Sequence, residues 1–317
     1  MTTWTLTCWN GKRYDLATPL AWRLEYGLGS PCDSFWVKFL WKDGQERLLS
    51  EGTRMTVFYQ NQTVFFGVVD ECQCQWSEAG CTAEISGRGM QALLLDNQAE
   101  AVDFTQASLT DILRRYVYPL GISLAKPVSV PGVWGYSVPS GSSCWKVLYQ
   151  FARYYAGVTP RFDRRGKLLL TYWPNDKPIR LDETAPVTRL VARHKRYGVL
   201  SRVTVKDVTG WNRQTEVNAS FQARGGQSSR VILMPKTTGY QARRYQAKFQ
   251  LDRSAARLNQ IEAELALPFA AWTGDLVYLA RRELSRSRVY RVQESRVSLD
   301  EQGCRTVLVL GEPNAVL

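Results

Sequence analysis

One histidine, His194, stands in 317 residues, which excludes histidine-rich metal sites and leaves a single ring for any histidine-dependent triad. It sits inside the basic run Arg193-His194-Lys195-Arg196 with no nucleophile motif nearby, and reads as a surface residue of that run. No Gly-x-Ser-x-Gly and no Gly-x4-Gly-Lys-Ser/Thr occurs, so neither a nucleophile elbow nor a phosphate-cradling loop is signalled. No apolar run approaches the roughly 20 residues that span a bilayer. The opening Met1 to Thr7 has no basic residue ahead of an apolar run, so no secretory signal or membrane anchoring is expected and the chain is expected to fold in a cytoplasm. The cysteines number 7, odd and scattered, which argues against a disulfide framework. Cys72-Gln-Cys74 with Cys81 lacks the second Cys pair of a structural zinc site and reads as small residues sharing a strand face. No metal and no cofactor is expected.

What is present is apolar and aromatic: 44% hydrophobic and 12% aromatic residues exclude a disordered chain. The length suits two or three modules. The net charge of +12 is uneven, since residues 1–160 hold 13 Lys/Arg against 14 Asp/Glu and residues 161–317 hold 28 against 15. The basic half carries Arg189, Arg193 and Arg196, the pair Arg243-Arg244, and the run Arg281-Arg282 to Arg288. That asymmetry implies an acidic partner, whether nucleic acid, an acidic protein surface or anionic lipid, or else a solvated basic face.

The chain is organised around Cys81 to Phe104. A strand-like alternation ends at Gly87-Arg88-Gly89, read as a turn out of one β-module, and the compact apolar segment Met90 to Leu95 follows. Before it, a hairpin turning at Asn10-Gly11, the alternation Trp22, Leu24, Tyr26, the aromatic run Ser34 to Trp41, and strands Arg54 to Tyr59 and Val64 to Glu71 around an Asn61-Gln62 turn predict a small barrel or sandwich. Gly67 inside a strand marks a bulge or barrel corner. After it, Thr105 or Ser108 caps a helix over Leu109 to Val117, residues 125–141 read as a loop, and Ser142-Ser143 caps a second helix stopped by Gly157. A hairpin then turns at Asp163 to Gly166, which makes residues 89–180 a small α+β insertion. From Val187 β-type sequence returns, with Tyr240 to Leu251 as a strand, a helix near 252–266 showing Leu258, Ile261 and Leu265 on one face, and a last hairpin at Asp300 to Gly303.

For chemistry, two-carboxylate hydrolysis has only Asp70-Glu71 and Glu262/Glu264 to draw on, and neither pair has a spacing that argues for it. Trp211, Tyr240 and Tyr245 among the basic residues are able to stack bases, or simply to fill barrel faces. No catalytic residue is expected.

Val64 to Asp70, Ile85-Ser86-Gly87-Arg88-Gly89 and Leu93 to Glu100, then Phe162 to Leu168, then Trp272 to Val277, Tyr290-Arg-Val292 and Leu299 to Leu308, taken in that order along nearly the whole chain, resemble the baseplate hub proteins of contractile phage tails and related bacteriocins and injection systems, the phage Mu-type hub family. The resemblance implies a mainly β fold: a tube-protein-like β-barrel domain over 1–88, an inserted α+β domain over 89–180, and a second such barrel over 181–317. It further implies a homotrimer whose ring of pseudo-sixfold symmetry adapts a threefold tail spike to the sixfold tail tube or tube initiator and anchors baseplate wedge proteins. DNA contact is then at most transient and non-specific, and the place of work is the tail baseplate of a particle made in a bacterial cytoplasm. Some relatives carry a fused cell-wall hydrolase, which is not expected here. The interface is expected at Arg189, Arg193, Arg196, Arg243, Arg244, Arg281 and Arg282. Competing readings are a tail-associated cell-wall hydrolase, another tail adaptor, and a nucleic-acid-binding module.

Overall fold

Alternating burial orders the N-terminal strands. Along Pro19–Gly27 the buried residues are Trp22, Leu24 and Tyr26, and along Ser34–Leu40 they are Phe35, Val37 and Phe39; a period of two puts each set on one face of its strand. They share a core with Trp4 and Leu6 of Thr2–Cys8, Met55 and Val57 of Gly52–Tyr59, Phe65 of Gln62–Ser77 and Ile85 of Gly80–Gly89. Each large side chain taken out of water there contributes about 2–3 kcal/mol. Tyr26 also donates its hydroxyl to the Val64 carbonyl at 2.7 Å, tying two strands that are not sheet neighbours. The expected first hairpin is present, Thr2–Cys8 pairing with Arg13–Asp15. So is the turn at Asn61, where Gln60 and Asn61 take φ of 49° and 61°, the mirror-type geometry that matches strand twist. The computed structural model that shows this describes residues 1–27, 32–41, 46–78, 80–234, 239–284 and 288–313.

A second group of strands runs Val187–His194, Asn259–Leu265, Gly303–Gly311, Arg288–Asp300, Leu276–Leu279 and Ile179–Leu181, around Ile261, Leu265, Val277, Val292 and Leu308. The two groups are one continuous sheet of 13 strands among the described residues. The joint is Arg288–Asp300. One of its edges pairs from Arg291 to Asp300 with Gly303–Gly311, while the other pairs with Leu276–Leu279 through Arg291 and then, from Glu294, with Pro19–Gly27. The changeover falls at a bulge between Val292 and Glu294, where an extra residue bends the strand. The buried amide of Gln293 fills the bend, donating to the Ala256 carbonyl and accepting from Gln260, both at 2.7 Å. The fold is thus mainly β, with two β-barrels made continuous by one long strand.

Between the barrels lies the expected α+β insertion. Ser108 caps Leu109–Tyr116 with a reciprocal bond to Asp111, and Ser143 caps Cys144–Phe151. Ile112, Leu113, Leu148 and Phe151 pack on Ala92 and Leu94 of Gln91–Asp96 and on Leu168 of the predicted hairpin. A single π-turn, Ala152–Ala156, ends at Gly157 in the left-handed region.

Several sequence expectations are corrected. Gly87-Arg88-Gly89 is not a turn: the strand runs through Gly89, and the glycines let two backbones cross closely. A Cβ on Gly87 would fall 2.0 Å from the Val68 carbonyl, and one on Gly67 2.1 Å from that of Arg88. Gly67 itself is in register, and the irregularities lie to either side of it, at Val64 opposite Val57 and Phe58, and between Val69 and Glu71. The stretch 125–141 is not all loop, because Val133–Val138 pairs with Val102–Ala107 and buries Tyr136 and Val138.

Helix and strand are interchanged near the end of the basic half. Tyr240–Ala255 is an α-helix and Asn259–Leu265 a strand, against the expected strand over 240–251 and helix near 252–266. The helix is packed on two sides, with Ala242, Ala247 and Leu251 against Val203 and Val205, and Phe249 against Tyr149 and Arg153. No single apolar stripe forms, and Tyr245, Ala247, Phe249 and Leu251 mimic alternation. In the strand the true period is Ile261, Ala263, Leu265, with the small Ala263 as a buried position. Residues 199–255 hold a separate three-stranded sheet, Arg213–Val217, Arg202–Lys206 and Ser229–Leu233, on that helix. Ala219–Gln222 is a short helix after the first of these strands.

Candidate functional site

The interface arginines occupy several separate places. Arg189 and Arg193 lie four residues apart on Val187–His194, an outermost strand of the sheet among the described residues, so both face the same way and both reach Glu262, at 3.2 and 3.4 Å. Their side chains remain 59% and 61% exposed. Arg196 is exposed and donates to the Arg224 carbonyl at 2.8 Å. Arg244 is exposed on its helix, whereas Arg243 beside it is buried. Arg281 is turned inward: 11% exposed, it donates to the Asp182 carbonyl at 3.0 Å and lies 3.6 Å from Glu283. Arg282 is 84% exposed, with Glu183 at 3.7 Å. Arg286, in the same basic run, lies outside the described residues.

The other candidates are tied into local structure. His194 faces Asn259 with its Nδ1 at 2.6 Å. Asp70 takes a two-pronged contact from Arg88, 2.7 and 2.9 Å, and Asp96 shares the same guanidinium. Glu262 is held between two arginines on a strand. Cys72 and Cys74 do share a strand face, and burial pushes the Cys72 thiol up to about 11. Among the described residues no group of three or more His, Cys, Asp and Glu is placed to hold a metal ion. No helix among them is long and apolar enough to cross a membrane.

What the sequence reading missed is a cleft of about 640 Å3 where both barrels, the insertion and the helix Tyr240–Ala255 meet. Aromatic walls come from Trp145 and Tyr149, from Phe162 and Trp173, from Phe249 and from Trp272. Arg164 lies 4.2 Å over the Trp272 ring, and Arg161 lies 4.1 Å over Trp173. Burial, then repulsion from Arg291, lowers Arg161 to about 10. At the first-barrel side Asp33 accepts from the Gly27 amide at 3.3 Å, and burial raises its carboxyl to about 7 although part of the side chain still meets solvent. Asp275 is raised as well, again mainly by burial. The available signal was Arg161-Phe-Asp-Arg164, where cations alternate with an aromatic along a short strand and its turn.

No protein-family model and no curated protein sequence matches the chain. Solved structures do. A tail protein from Neisseria meningitidis MC58 superposes with a TM-score of 0.79 at 16% identity, covering 99% of this chain and 98% of that one. The 43 kDa tail protein of prophage MuSo2 from Shewanella oneidensis gives 0.76 at 18% identity, over 99% and 100%. An Escherichia coli type VI secretion component, described as structurally similar to the T4 bacteriophage tail proteins gp27 and gp5, gives 0.58 at 10% identity, over 93% and 73%. At such identities the likeness is one of fold: this chain has the fold of phage tail proteins.

Proposed function

We propose that the chain is a baseplate hub of a contractile tail or of a related injection or bacteriocin particle: a homotrimeric ring that joins a threefold spike to the sixfold tube and anchors wedge proteins. The observation that carries the reading is the end-to-end match, in both directions, with two tail proteins. A fold spread over unrelated functions would prove little alone, but here the likeness takes in both barrels and the insertion together. The proposed division is 1–88, 89–180 and 181–317, with 199–255 as a packing unit of its own inside the last.

The sheet itself supports a ring. Each chain supplies two barrels in one continuous hydrogen-bonded path, so three copies give six units around an axis. The path ends at Arg13–Asp15 and Val187–His194, each paired on one side only among the described residues. Such edges invite pairing or covering, and Arg189 and Arg193 stand on one of them. The exposed members of the arginine set, Arg189, Arg193, Arg196, Arg244 and Arg282, are the ones available to an acidic tube, spike or neighbouring copy. The role is structural, and DNA meets it only transiently and without sequence preference. Negative-stain images of the purified chain test the reading. Ring-shaped particles with threefold symmetry are expected, and single isolated chains at every concentration would overturn it.

A further inference from the structure

The cations of the chain include ion-paired ones and ones without a carboxylate partner, and those that line the cleft are of the second kind. Arg88, Arg189, Arg193, Arg281, Arg296 and Arg305 each have a carboxylate within ion-pair distance. Among the described residues Arg161, Arg164, Arg253 and Lys146, which all line the cleft, have none. Arg161 and Arg164 lie over tryptophan rings, and Arg161 also donates to the Thr171 and Tyr172 carbonyls at 2.8 and 3.3 Å, which fixes its fork and still leaves an Nη1 donor over. Two polar atoms of lining residues are buried without a hydrogen-bond partner among the described residues, Arg161 Nε and Thr273 Oγ1.

The shape of the cleft narrows the choice of ligand. Thr159 to Arg164 line it as six consecutive residues, and within them Arg161–Phe162 pairs only with Leu168–Leu169, in a sheet of two strands. The other edge of Arg161–Phe162 has no strand paired to it among the described residues, and an added extended backbone is the way peptides join such edges. The acids present serve local amides: Asp163 accepts from the backbone of Arg165 and Lys167, and Asp275 from that of Trp272. With Asp33 they would oppose an unbroken row of phosphates, while a peptide is able to place carboxylates at the arginines and amides or apolar groups elsewhere. The volume, about 640 Å3, falls in the roughly 300–1,000 Å3 range of ligand sites.

We propose that this cleft is a docking slot for an extended acidic peptide segment bearing an aromatic or large apolar side chain, pairing with the Arg161–Phe162 edge and neutralising Arg161, Arg164 and Arg253. That the segment belongs to another tail component rests on the hub reading; the chemistry of the slot does not.

The test is fluorescence anisotropy of the full chain with a labelled short peptide of aspartates and glutamates flanking one phenylalanine. Saturable binding is expected, weakened at least about tenfold, or about 1.4 kcal/mol, by Arg164→Glu and independently by Arg253→Glu. Both residues are exposed, and an unchanged urea midpoint shows that each variant is folded. Arg114→Glu, exposed on Leu109–Tyr116 and outside the cleft, leaves binding unchanged. Three results overturn the proposal: no saturable binding, equal binding of the same peptide with asparagine and glutamine for its acids, or preferential binding of oligothymidylate that Arg164→Glu abolishes. Peptide binding by a chain that forms no ring would keep the slot and remove the hub, and a ring without peptide binding would do the reverse.

Discussion

Replacing Gly87 by alanine is expected to be among the most costly changes of a single methyl group in this chain. Gly87 does not require a left-handed backbone, so alanine would be unstrained in φ and ψ. The cost is contact: the new Cβ would lie 2.0 Å from the Val68 carbonyl and 2.6 Å from the ring of Phe35. The carbonyl belongs to the paired strand, and Phe35 is 2% exposed in the core of the first barrel, so neither gives way cheaply. Overpacking of this kind costs about 1–3 kcal/mol, and prising Val69 from Gly87 loses about 1 kcal/mol more per ladder bond. The expected loss is about 3 kcal/mol. With a urea slope of about 3 kcal/mol/M, the tryptophan-fluorescence midpoint should fall by about 1 M. Gly89→Ala is the comparison, because its Cβ meets at 2.6 Å only the terminal oxygen of the Gln91 side chain, not backbone, and the next atoms lie beyond 3.4 Å. If Gly87→Ala left the midpoint where Gly89→Ala leaves it, the crossing of the two backbones would not be as described.

Other consequences are open to the same kind of measurement. Asp33 binds its proton more tightly when folded, at about 7, than in the unfolded chain at about 3.9. Its contribution is therefore complete below about pH 4 and lost as pH rises through about 7. The linkage maximum is about 4 kcal/mol and partial solvent contact reduces it to about 2, so Asp33→Asn should exceed the natural protein in stability by that amount near pH 8 and match it near pH 4 in chemical denaturation. Arg281→Ala, which removes an inward guanidinium bonded to the Asp182 carbonyl, should cost about 2–3 kcal/mol. Arg189→Ala, exposed on its strand, should stay within about 0.5 kcal/mol in the same urea titrations. Ser108→Ala should lose about 1 kcal/mol and fray Leu109–Tyr116, seen as faster amide exchange at Asp111, whose N–H the serine hydroxyl accepts.

The parts of the fold that were legible in the sequence are those where one face is buried and the other wet. Trp22, Leu24 and Tyr26 announced their strand, and Leu109, Ile112, Leu113 and Tyr116 their helix, because a single neighbour sets the period. Tyr240–Ala255 was misread because two neighbours bury it on different sides, and Asn259–Leu265 because Ala263 is too small to mark a period. The glycines at 87 and 89 read as a sharp change of direction, because a glycine pair looks the same in sequence whether the chain turns there or a strand runs through against another backbone, as it does at Gly87. The arginine asymmetry was plain, yet its sorting into inward Arg281 and exposed Arg282 depends on where residues 182–185 pass. The cleft draws on residues far apart along the chain, from Tyr26 to Asp275, and only their packing gathers them.

The central claim is a closed ring, and the native mass of the purified chain by light scattering, at low and high salt, tests it most directly. Three subunits of 36.1 kDa give about 108 kDa, the mass expected at both salts if the ring is held by sheet edges and apolar contact, with a shift toward smaller species at high salt if Arg189 and Arg193 carry the contact. A mass of one subunit at every concentration and every salt would contradict the account.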